Sequence, residues 1–192
     1  MSERAHTAQR LSESAYSGRT RLAVVVGAVI VAVLIAWLIF KGDDNKSGSP
    51  ARAPGSAASV SQLQALPGKV GHDVFWAGSR SGFTYELTQT TQGNIYVRYL
   101  PAGVQANDPR PDFLTVGTYP HSGAFGVLKK VAGNPGSHLR RLPGGGIAVF
   151  SEQKPNSVYV AYPGKNQEIE IFDPSPSRAL KLAVSGKVRP LG

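Results

Sequence analysis

Histidines, carboxylates, one serine–lysine pair and a population of arginines and aromatics are the groups in this sequence with chemical reach. Of its four histidines, His6 lies in the first residues, whereas His72, His121 and His138 lie far downstream. Their spacing matches no local metal-ligand pattern, so a metal site would have to be assembled in space from distant segments. Cysteine is absent, which excludes disulfides, thiolate zinc sites and a cysteine nucleophile together. Ser151-Glu152-Gln153-Lys154 has the S-x-x-K form of a serine nucleophile activated by lysine. That chemistry needs a helix to bring the lysine beside the serine, and Pro155 follows at once, so the match reads as accidental. Leu142-Pro143-Gly144-Gly145-Gly146 reads as a turn.

The carboxylates are sparse. Glu86 and Arg98 can face each other across a hairpin, where an exposed pair contributes about 0–1 kcal/mol and needs no function. Glu168 and Glu170 alternate with Ile169 and Ile171, the pattern of a strand with one solvated face. Neither pair comes with the pocket partner that general acid–base chemistry requires. No catalytic residue, metal site or cofactor is expected.

What is left is a basic, aromatic surface: Trp76, Arg80, Tyr96, Arg98, Arg110, Lys129, Lys130, Arg140 and Arg141. Tyr, Trp and Arg dominate protein interfaces, and basic clusters attract headgroups or anionic polymers. The same residues could equally be core aromatics and a solvated charged face.

These side chains need a scaffold. The chain has 192 residues and a net charge of +9, with charged residues at 17%, below the roughly 25% of ordinary soluble proteins. Leu22 to Phe40 carries no charge and no proline, and as a helix it spans about 28 Å, close to the hydrocarbon thickness of a bilayer. Arg19 and Arg21 stand at its start, whereas Asp43 and Asp44 follow Lys41 at its end. The positive-inside rule then puts residues 1–21 in the cytoplasm and the rest outside, with Leu22–Phe40 as an uncleaved single-pass anchor. A cleaved signal peptide has a shorter apolar region and a small-x-small site, which this segment lacks. An exported domain is disfavoured as a nucleic-acid binder.

Residues 41–62, rich in Ser, Gly, Ala and Pro, read as a disordered linker. The folded part is expected from 63 to 192, with 14 Lys/Arg against 8 Asp/Glu, or +6. Its class is α+β with mainly antiparallel strands and two short helices. Alternation marks strands over Phe83–Thr88, Ile95–Tyr99 and Phe113–Tyr119, the first two joined through Gly93-Asn94. Ser122 can cap a helix that stops at Gly133. The order then recurs: strands at Ile147–Phe150, Val158–Tyr162 and Glu168–Ile171, then a helix with Ser175 as cap, Pro176 at its first position and Gly186 as its stop. Ile95-Tyr96-Val97-Arg98-Tyr99 matches Val158-Tyr159-Val160-Ala161-Tyr162, and Gly82 matches Gly146; the loop 101–112 has no counterpart. A duplicated βββα unit would place its sheets edge to edge and its helices on one face. An unrepeated α+β domain remains the other reading.

The stretch from Val74 to Pro120 contains Phe-Trp-Ala-Gly, Phe-Thr-Tyr-Glu-Leu-Thr, Tyr-Val-Arg-Tyr-Leu-Pro and Leu-Thr-Val-Gly-Thr-Tyr-Pro. It resembles uncharacterised single-pass membrane proteins of high-GC bacteria. The resemblance implies the same topology and carries no activity. The expectation is a membrane-anchored, extracytoplasmic, non-catalytic module of the cell envelope, bound to the bilayer through Leu22–Phe40 and to an envelope protein or an anionic polymer. The alternative is an envelope hydrolase or metal-dependent enzyme using His72, His121 or His138.

Overall fold

The structure, a computed structural model, describes residues 54–192. The expected cytoplasmic tail 1–21, the apolar segment 22–40 and most of the expected linker lie outside the described residues. No helix among the described residues is long and apolar enough to cross a membrane.

The domain is α+β, and its strands pair antiparallel throughout. In chain order the strands are β1 Ser56–Ala58, β2 Phe75–Trp76, β3 Phe83–Gln89, β4 Ile95–Pro101, β5 Thr115–Pro120, β6 Ser137–Arg141, β7 Ile147–Ser151, β8 Lys154–Ala161, β9 Gln167–Phe172 and β10 Arg189–Pro190. The helices are α1 Val60–Gln64, α2 Leu66–Val70, α3 Ala124–Val131 and α4 Pro176–Val184. Eight strands form one sheet in the order β1-β3-β4-β5-β9-β8-β7-β6, and β2 pairs with β10 separately.

Three expectations are corrected. Order begins before Leu63: β1 pairs with β3, and α1 starts on a capping box in which the Ser59 hydroxyl accepts from the Gln62 amide and the Gln62 side chain accepts from the Ser59 amide. The end of the supposed linker is therefore part of the fold. There are four described helices rather than two. The third correction concerns the faces of the sheet. Ala179, Leu182 and Ala183 of α4 join the main core with Val97, Val116, Val158, Ile169 and Ile171. Ala124 and Leu128 of α3 are buried outside that core, and α3 lies against β7, β8 and β9. The two helices therefore cover opposite faces, because the strands present apolar side chains on both.

The sheet is two four-stranded halves, β1-β3-β4-β5 and β6-β7-β8-β9, meeting at the β5–β9 seam, and each half ends in a helix. The strand match is consistent in the face it presents: Ile95, Val97 and Tyr99 of one run and Val158 and Val160 of the other all join the main core. The Gly82–Gly146 match is not consistent in register. Tyr85 stands opposite Tyr99, and the β7–β8 ladder ends with Ile147 opposite Ala161, which brings Gly146 next to Tyr162. A Cβ on Gly146 would lie 2.5 Å from the Tyr162 ring, so only glycine leaves room for that tyrosine. Tyr85, not Gly82, occupies the position corresponding to Gly146.

The main core is closed by the segment from β2 to Arg80, which tyrosine hydroxyls fasten to the sheet. Tyr99 accepts from the Ala77 amide at 2.6 Å and donates to the Gly78 carbonyl at 3.1 Å, and Tyr85 accepts from the Arg80 amide at 2.8 Å. Trp76 meets Tyr85 edge-on at 6.1 Å, and Tyr85 meets Tyr99 at 5.2 Å.

Candidate functional site

The nine residues expected to form a binding surface fall in four places. Trp76 is buried in the main core, and the Arg80 guanidinium lies 5.3 Å from the Tyr99 ring centroid at the margin of that core. These two residues hold the fold together. Tyr96 and Arg98, neighbours on β4, point to the other face and are also buried.

Arg98 and Glu86 are not an exposed pair. Their side chains are 4% and 1% exposed, and Arg98 Nη1 donates to both Glu86 oxygens at 3.0 Å. Arg98 Nη2 donates to the carbonyls of Asp108 and Arg110, and Glu86 accepts from the Asn107 amide at 2.8 Å. Asn107 in turn exchanges two hydrogen bonds of 2.8 Å with the backbone of Gly55. The loop 102–112 is thus a lid over a buried ion pair and ties down the start of β1. Phe113 takes both arginines over its ring, Arg98 at 5.1 Å and Arg110 at 5.2 Å, while Arg110 also forks onto Asp108. Those bonds pull the Asp108 carboxyl down to about 2.

The same face carries a polar network that strand alternation alone misread. Glu168 and Glu170 are 7% and 8% exposed, not solvated. Glu170 accepts from the Tyr119 hydroxyl at 2.5 Å and from the Ser157 hydroxyl at 2.6 Å, and Tyr96 meets Tyr119 edge-on at 5.7 Å. Burial pushes Tyr119 and Tyr159 well above the usual phenol range, so both stay protonated. Burial, then the neighbouring Glu170 charge, pushes Glu168 up to about 7. With both Glu170 oxygens engaged, this carboxylate is a hydrogen-bond hub joining β5, β8 and β9. Its signal in the sequence was Tyr119 and Tyr159 at register positions that a polar strand face would not need to fill with phenols.

The histidines are not brought together. His72 Nδ1 lies 2.9 Å from the Asp73 carbonyl, the His121 amide donates to Asn166, and His138 stacks on Phe150 with Nε2 at 3.6 Å from Glu152. Among the described residues no group of three or more His, Asp or Glu side chains could hold a metal. Ser151 and Lys154 bound the β7–β8 hairpin turn, where the Ser151 hydroxyl accepts from the Lys154 amide.

Lys129, Lys130, Arg140 and Arg141 remain. All four are exposed and none has a carboxylate partner among the described residues. The lysines end α3, and the arginines end β6, the last strand of the sheet. Sequence reasoning picked these residues but missed β6 itself, because Ser-His-Leu-Arg-Arg has no apolar alternation to reveal a strand.

Ladder geometry fixes which backbone groups of β6 are free to bond outward. The Leu142 amide donates to Gly146, and the Glu152 amide to Gly136, so even-numbered residues bond inward to β7. Ser137, Leu139 and Arg141 turn their backbone groups away from β7. The Arg140 guanidinium folds onto the outward Leu139 carbonyl at 3.1 Å, and Arg140 also lies 5.7 Å from the Phe150 ring.

No protein-family profile, curated protein or solved structure matches the chain.

Proposed function

We propose that this chain is a non-catalytic binding module of the bacterial envelope, held by Leu22–Phe40 as a single-pass anchor with the described domain outside the cytoplasm. It binds an anionic envelope partner through the basic β6 end of the sheet. The observation that carries this reading is a local charge imbalance. Every described Asp or Glu except Asp112 and Glu152 is buried or paired with a lysine or arginine, whereas Lys129, Lys130, Arg140 and Arg141 have no described carboxylate within ion-pair distance. Lys69, Lys181, Lys187 and Arg189 share that state, but of these residues only Lys129-Lys130 and Arg140-Arg141 are adjacent doublets. An unneutralised cationic margin raises the local concentration of anions and speeds their encounter. The histidine hydrolase draws no support from positions that keep His72, His121 and His138 apart. The sheet order supports reading the strands as a repeated four-strand unit, with α1, α2 and β2 inserted between the first two strands of the first copy, but the helices fall outside that repeat, because α3 and α4 cover opposite faces and both lie over the second half.

The test is crosslinking in intact cells, wild type against Arg140→Glu/Arg141→Glu, after protease added outside has been shown to reach the domain. The proposal expects cleavage of residues 54–192 in sealed cells and a crosslinked species that the double reversal removes. Protection from the protease, or crosslinks indifferent to the reversal, contradicts it.

A further inference from the structure

We infer that the outer edge of β6 accepts an acidic, extended polypeptide segment as a ninth antiparallel strand. This rests on the binding reading above and narrows its partner from an anion in general to a strand of stated pattern.

Three features of the edge carry it. First, β6 is the terminal strand of the sheet among the described residues, and it offers the outward amides of Leu139 and Arg141 with the carbonyls of Ser137, Leu139 and Arg141. Such a row is a template for another strand. Natural edges are blunted by proline, by bulges or by charge; β6 has no proline, the irregularity in β7 falls on its β8 side, and the charge it carries, Arg140 and Arg141, is of one sign, so it repels cationic strands and not acidic ones. Secondly, the one guard on the edge is Arg140 on the Leu139 carbonyl, an exposed contact. A carboxylate on an incoming strand is a stronger acceptor for a guanidinium than a carbonyl, so the ligand that suits the edge also removes its guard. Thirdly, charge selects the occupant. Two copies of this chain joined β6 to β6 would bring no carboxylate to Arg140 and Arg141: the register centred on Leu139 sets them against His138 and Ser137, and the registers centred on Arg140 or Arg141 set like charges face to face, where they repel. An acidic strand meets them with complementary charge.

Register gives the pattern. Arg141 and Leu139 share one face of the sheet and Arg140 the other. An antiparallel ligand therefore reads acidic, acidic, apolar: one carboxylate opposite Arg141, one opposite Arg140, and an apolar side chain opposite the half-buried Leu139.

The probe is the peptide acetyl-TEEVTVT-amide, titrated into the full chain in nanodiscs, beside two versions carrying one backbone N-methyl group. Methylation of the first valine removes an amide aimed at β6. Methylation of the second glutamate removes one aimed away. The inference expects the first to bind at least about tenfold more weakly than the parent peptide and the second to bind within about twofold. It also expects Arg140→Glu/Arg141→Glu to lose binding and to gain binding to the lysine analogue acetyl-TKKVTVT-amide. Equal binding of the two methylated peptides, with competition by polyglutamate of any pattern, overturns strand addition while leaving an anion-binding module. Binding of the parent peptide unchanged by the double reversal overturns the basic margin itself.

Discussion

At corresponding register positions the two halves of the sheet solve the same packing problem differently. In the first half β3 and β4 bring Glu86 opposite Arg98; in the second, β7 and β8 bring Ile147 opposite Ala161. The ion pair needs a lid to supply its remaining hydrogen bonds, and loop 102–112 supplies them through Asn107, Asp108 and Arg110. The apolar pair needs none, which accounts physically for a loop in one half that has no counterpart in the other. Buried charge thus costs chain length, and it also gives the first half a tether for Gly55 that the second lacks. The margins differ in the same sense. The start of β1 is tied through Gly55 to the loop, whereas the β6 side ends in exposed arginines.

The most damaging change to this comparison is Glu86→Ala. It leaves Arg98 buried without its carboxylate, at a cost of about 3–5 kcal/mol in urea unfolding of the full chain. Glu86→Leu/Arg98→Met, which imitates the apolar pair of the other half, recovers most of that loss but leaves loop 102–112 more open to proteolysis. Recovery to wild-type stability with no change at the loop would show that the lid does not depend on the pair. Next in size is Ile147→Ala, a cavity in the half that relies on apolar packing, expected to cost about 2–4 kcal/mol by the same measurement.

A smaller, pH-dependent effect separates the halves again. Burial, and then the neighbouring Glu170, push the Glu168 carboxyl from its ordinary 4.5 up to about 7 in the folded domain. As pH rises the unfolded chain loses this proton first, so the folded state is favoured below about 4.5, loses stability between there and 7, and levels off above. Glu168→Gln removes that decline, so the variant gains on wild type by on the order of 1–3 kcal/mol between pH 5 and pH 8. Parallel stability curves for the two proteins would contradict the assignment. The smallest stability effect belongs to Arg140→Glu/Arg141→Glu, within about 0.5 kcal/mol, because neither arginine supports a buried group.

Legibility in the sequence followed burial. Strands β3, β4, β5, β7, β8 and β9 and helices α3 and α4 could be read because an apolar run or a periodic apolar face marks each of them. Even there the caps differed: Gly123 in a left-handed conformation, not the Ser122 side chain, starts α3. Four strands escaped: β1 and β6 lie at the sheet margins, where no core face imposes alternation, and β2 and β10 are two residues each, too short to show a period. The Ser59 to Gln62 capping box was written in the sequence and would have marked α1, but the surrounding small polar residues read as linker. Glu86, Glu168 and Glu170 were misplaced for one reason. Alternation tells which side chains share a face, but it does not say whether that face meets water. Here loop 102–112 and α3 lie over the second face, and neither is legible as cover from local pattern. Of the binding candidates, residue type picked out Arg140 and Arg141, and only the ladder showed that they sit on a free edge.

Amide hydrogen exchange along β6, read residue by residue with and without acetyl-TEEVTVT-amide, tests the account most directly. In the free protein the Leu139 and Arg141 amides, turned away from β7, exchange fast, and His138 and Arg140 exchange slowly. The account predicts that the peptide slows Leu139 and Arg141 and leaves His138 and Arg140 as they were. Slow exchange at all four positions in the free protein, or no protection of Leu139 and Arg141 at saturating peptide, would contradict it.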